Sequence, residues 1–174
     1  MKNEKFIIMG SSGSGKDFLL KGLIQKGEKY APKITTRPMR EGEVDGVDYI
    51  YMNNEQFKQL QDSNQIKVQQ KFVINGVDWW YGITNENFTN NNLFIMTPYE
   101  LAQISPEDRK GCFVIQLDID EAIRRERIAK RYDNNDSIDR RIAADAKDFE
   151  NFGDYDLKLT DHEFEVDWVW DFAY

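Results

Sequence analysis

Two hydrophobic periods alternate along this chain. Lys5-Phe6-Ile7-Ile8-Met9 is a short apolar run, the pattern of a strand covered on both faces. Phe18, Leu19, Leu20, Leu23 and Ile24 then recur at helical spacing. Residues 49–52 predict a strand and residues 55–60 a short helix. Strand-like runs over 66–74 and 77–81 flank Asn75-Gly76, the strongest short-range turn signal, and predict a hairpin. Residues 93–96 and 112–117 read as further buried strands, the first followed by a short helix over 99–104. Residues 120–131 predict a charged helix, broken by Asp133-Asn134-Asn135-Asp136. Residues 137–149 predict a second helix, with Ile138, Ile142 and Ala146 at four-residue steps. Residues 156–160 fit a last short strand. The tail containing Trp168, Val169, Trp170 and Phe172 fits either helix or strand, and its aromatic rings are expected in packing. The whole is an α/β pattern, a parallel core sheet flanked by helices, with residues 33–83 an inserted antiparallel β lobe.

Within this pattern, Gly10-Ser11-Ser12-Gly13-Ser14-Gly15-Lys16 fits G-x-x-x-x-G-K, the phosphate-binding loop. It stands between a strand and a helix, the context in which that motif acts. Glycines let successive backbone N–H groups converge on one phosphate. The helix start adds partial positive charge and Lys16 a full one. The next residue, normally a serine or threonine that ligates magnesium, is Asp17. A carboxylate is also a hard oxygen ligand, so Asp17 fits a magnesium-binding role. It fits equally well as a first-turn residue that complements the helix dipole.

Length and composition set the remaining bounds. At 174 residues the chain suffices for one domain with its own core, and no repeat or linker divides it. No apolar run approaches the ~20 residues needed to span a bilayer, and the first strand begins too early for a leader. One cysteine, Cys112, excludes an internal disulfide and a cysteine-rich zinc site. The only histidine, His162, lies in an acidic stretch and gives histidine-based triads little support. These features point to a reducing, cytoplasmic setting. A net charge of −8 argues against a general nucleic-acid binder. It also sets off Arg37, Arg40 and the arginines between 124 and 141 as sites where anions are held, or as surface partners of the surrounding carboxylates.

The stretch Thr35-Thr36-Arg37-Pro38-Met39-Arg40-Glu41-Gly42-Glu43-Val44-Asp45-Gly46-Val47-Asp48-Tyr49 resembles the T-T-R-x-x-R-x-G-E-x-x-G-x-D-Y of the guanylate kinase family. Tyr81-Gly82 is similar to the Y-G at the end of that family's hairpin. Arg127-Ile128-Ala129-Lys130-Arg131 resembles its R-L-x-x-R, and Ser137–Ile142 its lid return helix, with Arg141 on the arginine. The resemblance implies the P-loop kinase fold in one domain. Residues 1–32, 84–126 and 142–174 would form the core, 33–83 the monophosphate-binding lobe and 127–141 a lid. It implies transfer of the γ-phosphoryl group of ATP, with Mg2+, to GMP or dGMP by a monomer or homodimer. The family also includes non-catalytic modules that bind phosphopeptides, but these usually lose the donor loop, which is intact here. Gly10 to Asp17 would hold ATP. Lys33, Thr35, Arg37, Arg40, Tyr49, Gln70, Tyr81 and Thr97 would hold the monophosphate, and Lys16, Arg127, Arg131 and Arg141 would serve catalysis. Two arginines three residues apart suit one phosphate because each guanidinium forks onto its oxygens.

The chain departs from the family where the base is read. The glutamate six residues before the turn glycine becomes Gln70, a serine becomes Lys33, and D-I-D gives way to Ile95-Met96-Thr97-Pro98. The small hydroxyl residue after Y-G is Ile83, and the hairpin is two residues longer, so Gln69 or Phe72 competes with Gln70 for the glutamate's place. Phosphate-gripping residues are kept while base-reading ones change. This predicts altered or relaxed base choice and resembles the deoxynucleotide kinases of viruses that remodel nucleotide pools.

Overall fold

The computed structural model describes residues 4–130 and 137–174. Its core is a four-stranded parallel sheet in the order β6-β1-β7-β8, built from β1 (Lys5–Gly10), β6 (Leu93–Ile95), β7 (Cys112–Leu117) and β8 (Leu157–Leu159). Successive residues of β1 point to opposite faces of the pleat. Phe6 and Ile8 therefore join one core cluster, with Leu19 and Leu23 of α1 (Lys16–Gln25) and Val169 of α8 (Val166–Ala173). Ile7 and Met9 join the other, with Phe94, Met96 and Val114. Helices thus cover both faces, which is why every residue of β7 is buried.

The second sheet has the order β3-β2-β5-β4, from β2 (Ile34–Thr35), β3 (Ile50–Tyr51), β4 (Ile66–Ile74) and β5 (Val77–Thr84). Asn75 and Gly76 both take positive φ at the hairpin turn, 53° and 78°, as the Asn-Gly pair predicts. The lobe is not wholly antiparallel: β2 runs antiparallel to β5 but parallel to β3. Val68 and Ile83 tie this sheet to the second core cluster. Helix α2 (Asn54–Asp62) starts on an Asn53–Gln56 capping box and buries Phe57 against the ring of Trp80.

Short helices α3 (Asn85–Asn90), α4 (Pro98–Leu101) and α5 (Pro106–Lys110) each begin on a hydroxyl residue, Thr84, Thr97 and Ser105. Helix α6 (Glu121–Ala129) and helix α7 (Ile138–Asp148) follow, capped by Asp120 and Ser137. The expected lid, 127–141, takes in the end of α6, residues outside the described ones, and the start of α7.

The tail forms helix α8. Trp170 stacks on Phe6, while Trp168 and Phe172 stack on each other at the surface, so two of the expected packing rings lie outside the core. Cys112 is buried, and burial pushes its thiol up to about 11. No helix among the described residues is long and apolar enough to cross a membrane.

Candidate active site

The chain turns from β1 into α1 through residues 10–16, at the C-terminal end of the central strand. Gly13 and Gly15 hold φ of +77° and +100°, and a side chain at Gly13 would sit 2.7 Å from the carbonyl of Arg124. Gly15 is the N-cap of α1 and supplies no side-chain acceptor, so the first N–H groups of that helix stay available to a ligand. The hydroxyl of Ser14 is buried without a hydrogen-bond partner among the described residues. Lys16 folds back and donates to the carbonyls of Gly10 at 2.6 Å and Ser11 at 3.1 Å. The N–H of Ser12 donates to the Asp145 carboxylate of α7 at 2.7 Å. A loop with converging donors, an orphaned hydroxyl and one carboxylate already seated on it has the chemistry of a polyphosphate site.

Across a cleft of 310 Å³ the lobe presents Arg40, Tyr49 and Tyr81, opposite Gly10, Ser12 and Lys16. The rings of Tyr49 and Tyr81 meet edge to face at 5.8 Å. Burial, then the neighbouring Tyr81, pushes Tyr49 up to about 12, and burial raises Tyr81 against the opposing pull of Arg37. Both therefore stay protonated at neutral pH and can donate to a phosphate. Arg140 and Arg141 of α7 line a third side.

Arg37 is placed differently from its expected partner Arg40. It is buried, and its guanidinium forks onto Glu43, at 2.7 Å through Nη2 and 3.1 Å through Nη1. Glu43 also accepts from the Tyr51 hydroxyl at 2.6 Å and the Arg40 N–H at 2.7 Å. Burial opposes ionisation of Glu43, but these donors outweigh it and hold the carboxyl down at about 2. Arg37 thereby fixes the loop that carries Arg40. Thr35 is buried as well: its hydroxyl donates to the Trp80 carbonyl and accepts from the Arg37 N–H, again shaping the loop.

The outer part of the site is apolar. Pairing of Gln70 with Tyr81, and of Phe72 with Trp79, puts these four side chains on one face of the hairpin. Phe72 and Trp79 line the cleft with Tyr30, Met96 and Phe149. Gln70 does not; its Oε1 accepts from the Thr97 hydroxyl at 2.6 Å. Lys33 lines the cleft and is ion-paired at 2.6 Å with Glu100, a fully buried carboxylate on α4.

Of the catalytic arginines expected on the lid, Arg141 lines the cleft. Arg127 lies behind the loop, donating to the carbonyls of Gly13 at 3.1 Å and His162 at 3.3 Å. Arg131 lies outside the described residues. Asp17 is exposed on the first turn of α1 and is not among the residues that line the cleft. Among the described residues no three histidine, cysteine or acidic side chains cluster to enclose a metal. A magnesium ion that takes most of its ligands from phosphates and water needs only one or two carboxylates, and Asp17 fits that requirement.

Asp145, Asp148 and Glu100 are the site residues that sequence reasoning missed. Arg141, Asp145 and Asp148 stand at i, i+4 and i+7, one face of a helix. The apolar stripe expected on that helix is incomplete, because Ala146 is exposed and only Ile142 is fully buried.

A phosphate loop at the end of a parallel sheet, faced across a cleft by an arginine and two tyrosine hydroxyls, defines a P-loop kinase of the small-molecule type. The comparisons with known proteins agree. The family model "Guanylate kinase" matches residues 2–72. A guanylate kinase of Nostoc sp. is 25% identical over 176 residues, covering 95% of this chain and 86% of that one. A guanylate kinase of Enterococcus faecalis is 29% identical over 167 residues, covering 90% and 80%. The crystal structure of guanylate kinase from Anaplasma phagocytophilum superposes with a TM-score of 0.67, covering 99% of this chain and 85% of that one at 18% identity, a likeness that speaks to the fold. The chain is thus similar to guanylate kinases over most of its length, and the family model matches its first part.

Proposed function

We propose that the protein transfers the γ-phosphoryl group of ATP to a nucleoside monophosphate, with GMP or dGMP the acceptor that the family implies. The observation that carries this reading is one cleft with a phosphate loop on one wall and Arg40, Tyr49 and Tyr81 on the other. Phosphoryl transfer demands that a donor and an acceptor phosphate lie in line with their charge neutralised. Residues 10–16 hold the donor through backbone N–H groups, and Lys16 leaves its loop carbonyls to pair with it. Arg40 grips the acceptor phosphate, which Tyr49 and Tyr81 orient as neutral donors. Arg141 approaches from α7 to spread charge as transfer proceeds. Asp17 would hold magnesium, which would supply positive charge to offset that of the donor phosphates. Arg127 braces the loop from behind through the Gly13 carbonyl.

The test is a coupled ADP-release assay against a panel of ribo- and deoxyribonucleoside monophosphates. Release that depends on both the monophosphate and magnesium supports the reading. A protein that binds phosphopeptide but releases no ADP with any monophosphate would be a binding module instead.

A further inference from the structure

The outer end of the cleft holds an ion pair that packing does not require. Lys33 and Glu100 are 12% and 1% exposed in their side chains. Desolvating two charges costs more than their attraction commonly returns, and an apolar pair of similar volume would serve stability as well or better. Glu100 is also tied to the start of α4, where its Oε2 accepts the Thr97 N–H at 2.9 Å. Its other oxygen, Oε1, is buried with no hydrogen-bond partner among the described residues. The carboxylate thus anchors Lys33 at one place on the cleft wall. An ammonium group carries three N–H donors, and Glu100 takes one.

The neighbouring Gln70 is committed elsewhere. The Thr97 hydroxyl accepts from the Glu100 N–H and so gives its own proton to Gln70 Oε1. That ties Gln70 to the start of α4, outside the cleft lining. The surroundings are the rings of Phe72, Trp79 and Phe149 with Met96, a slot for a flat heterocycle. A slot with the Lys33 ammonium on its wall favours a ring edge bearing an oxygen acceptor there. An amino group would meet a like-signed donor and leave both unpaired.

We infer that Lys33 is the specificity-determining residue of the acceptor site and donates to a carbonyl oxygen of the base. The enzyme then selects keto bases, thymine and uracil as well as guanine, over the amino bases adenine and cytosine. Guanine offers one such oxygen and thymine and uracil two each, so thymidylate competes with guanylate as an acceptor. This rests on the nucleoside monophosphate kinase reading and names the substrate class of that same site.

The experiment measures kcat/KM by ADP release, and Kd by calorimetry, for GMP, dGMP, dTMP, UMP, AMP and dCMP. In the wild type the keto-base monophosphates should lead the amino-base ones at least tenfold in both measures. Lys33→Met should reduce that ratio at least tenfold while ATP affinity is unchanged. Because Lys33→Met strands a buried carboxylate, Lys33→Met/Glu100→Gln is tested beside it and should show the same loss. Equal preference for keto and amino bases in the wild type, or an unchanged ratio in the folded double variant, would overturn the assignment. Absence of ADP release with every monophosphate would refute the kinase reading, and the calorimetric ratios would still decide the role of Lys33.

Discussion

The N–H of Ser12 donates to the Asp145 carboxylate across 2.7 Å, joining the phosphate loop to helix α7. A carboxylate there occupies a position suited to a phosphate oxygen, so on the proposed reading ATP displaces it. A charge-assisted bond of this kind is worth ~1.5–3 kcal/mol. Asp145→Ala should therefore lower the KM for ATP by about tenfold. An unchanged or raised KM would mean that Asp145 assists donor binding rather than competing with it.

Lys16 is held by two loop carbonyls, which positions it to swing onto a phosphate. Lys16→Ala should lower kcat at least tenfold while the circular dichroism spectrum stays that of the wild type. Turnover near the wild-type rate would remove the donor site from residues 10–16.

The two lobe arginines should separate. Arg40 lines the cleft, so Arg40→Ala should weaken monophosphate binding roughly tenfold or more, the worth of one charge-assisted bond, with little change in Tm. Arg37 is buried against Glu43, so Arg37→Ala should cost Tm as well as affinity. Calorimetry and thermal melts on both variants check this, and identical behaviour would contradict the division of labour.

The same pair sets an acid limit. The carboxyl of Glu43 is held at about 2, below its ordinary 4.5. A depressed carboxylate contributes stability that is present in full above the unfolded value and lost as pH falls through the folded one. Between about pH 4.5 and pH 2 the protein should lose stability that Glu43→Gln lacks already. Parallel urea-denaturation curves for the two proteins across that window would refute the linkage.

Helix α1 rests on α8 through Gly22. A methyl group there would lie 2.5 Å from a methyl of Val166, closer than packing tolerates. Gly22→Ala should cost about 1–3 kcal/mol despite its better helix propensity, or roughly 2–10 °C in Tm. Recovery in Gly22→Ala/Val166→Ala would trace the loss to that contact.

Much of this was legible in the sequence. Residues 66–74 and 112–117 match β4 and β7 because Asn75-Gly76 and a bare apolar run are strong local signals. Helices α3 and α5 were missed because they are one or two turns long, although Thr84 and Ser105-Pro106 announce their starts. The phosphate loop was legible because glycine spacing encodes backbone shape directly. The partners of its neighbours were not. Asp145, Glu100 and Phe72 act through contacts 133, 67 and 7 residues distant in sequence or in register. Only the fold reveals that a carboxylate meets Ser12, that Lys33 has an anchor, or that Phe72 and not Gln70 lines the cleft.

The parallel pairing of β1 governs the order in which the chain can assemble. Phe6 lies beside Leu93 and Phe113, so the central strand has no partner until residues about a hundred positions later are in place. The second sheet closes entirely within residues 34–84 and is dominated by one local hairpin. Contacts close in sequence form before those that must close long loops. The hairpin of the second sheet can therefore pair early, although Val68 and Ile83 find their apolar partners only in the core, and the loop at the end of β1 takes shape only when the core sheet is complete. Nucleotide capture is in this sense the last event of folding, and a chain able to bind ATP is one whose interior is already finished.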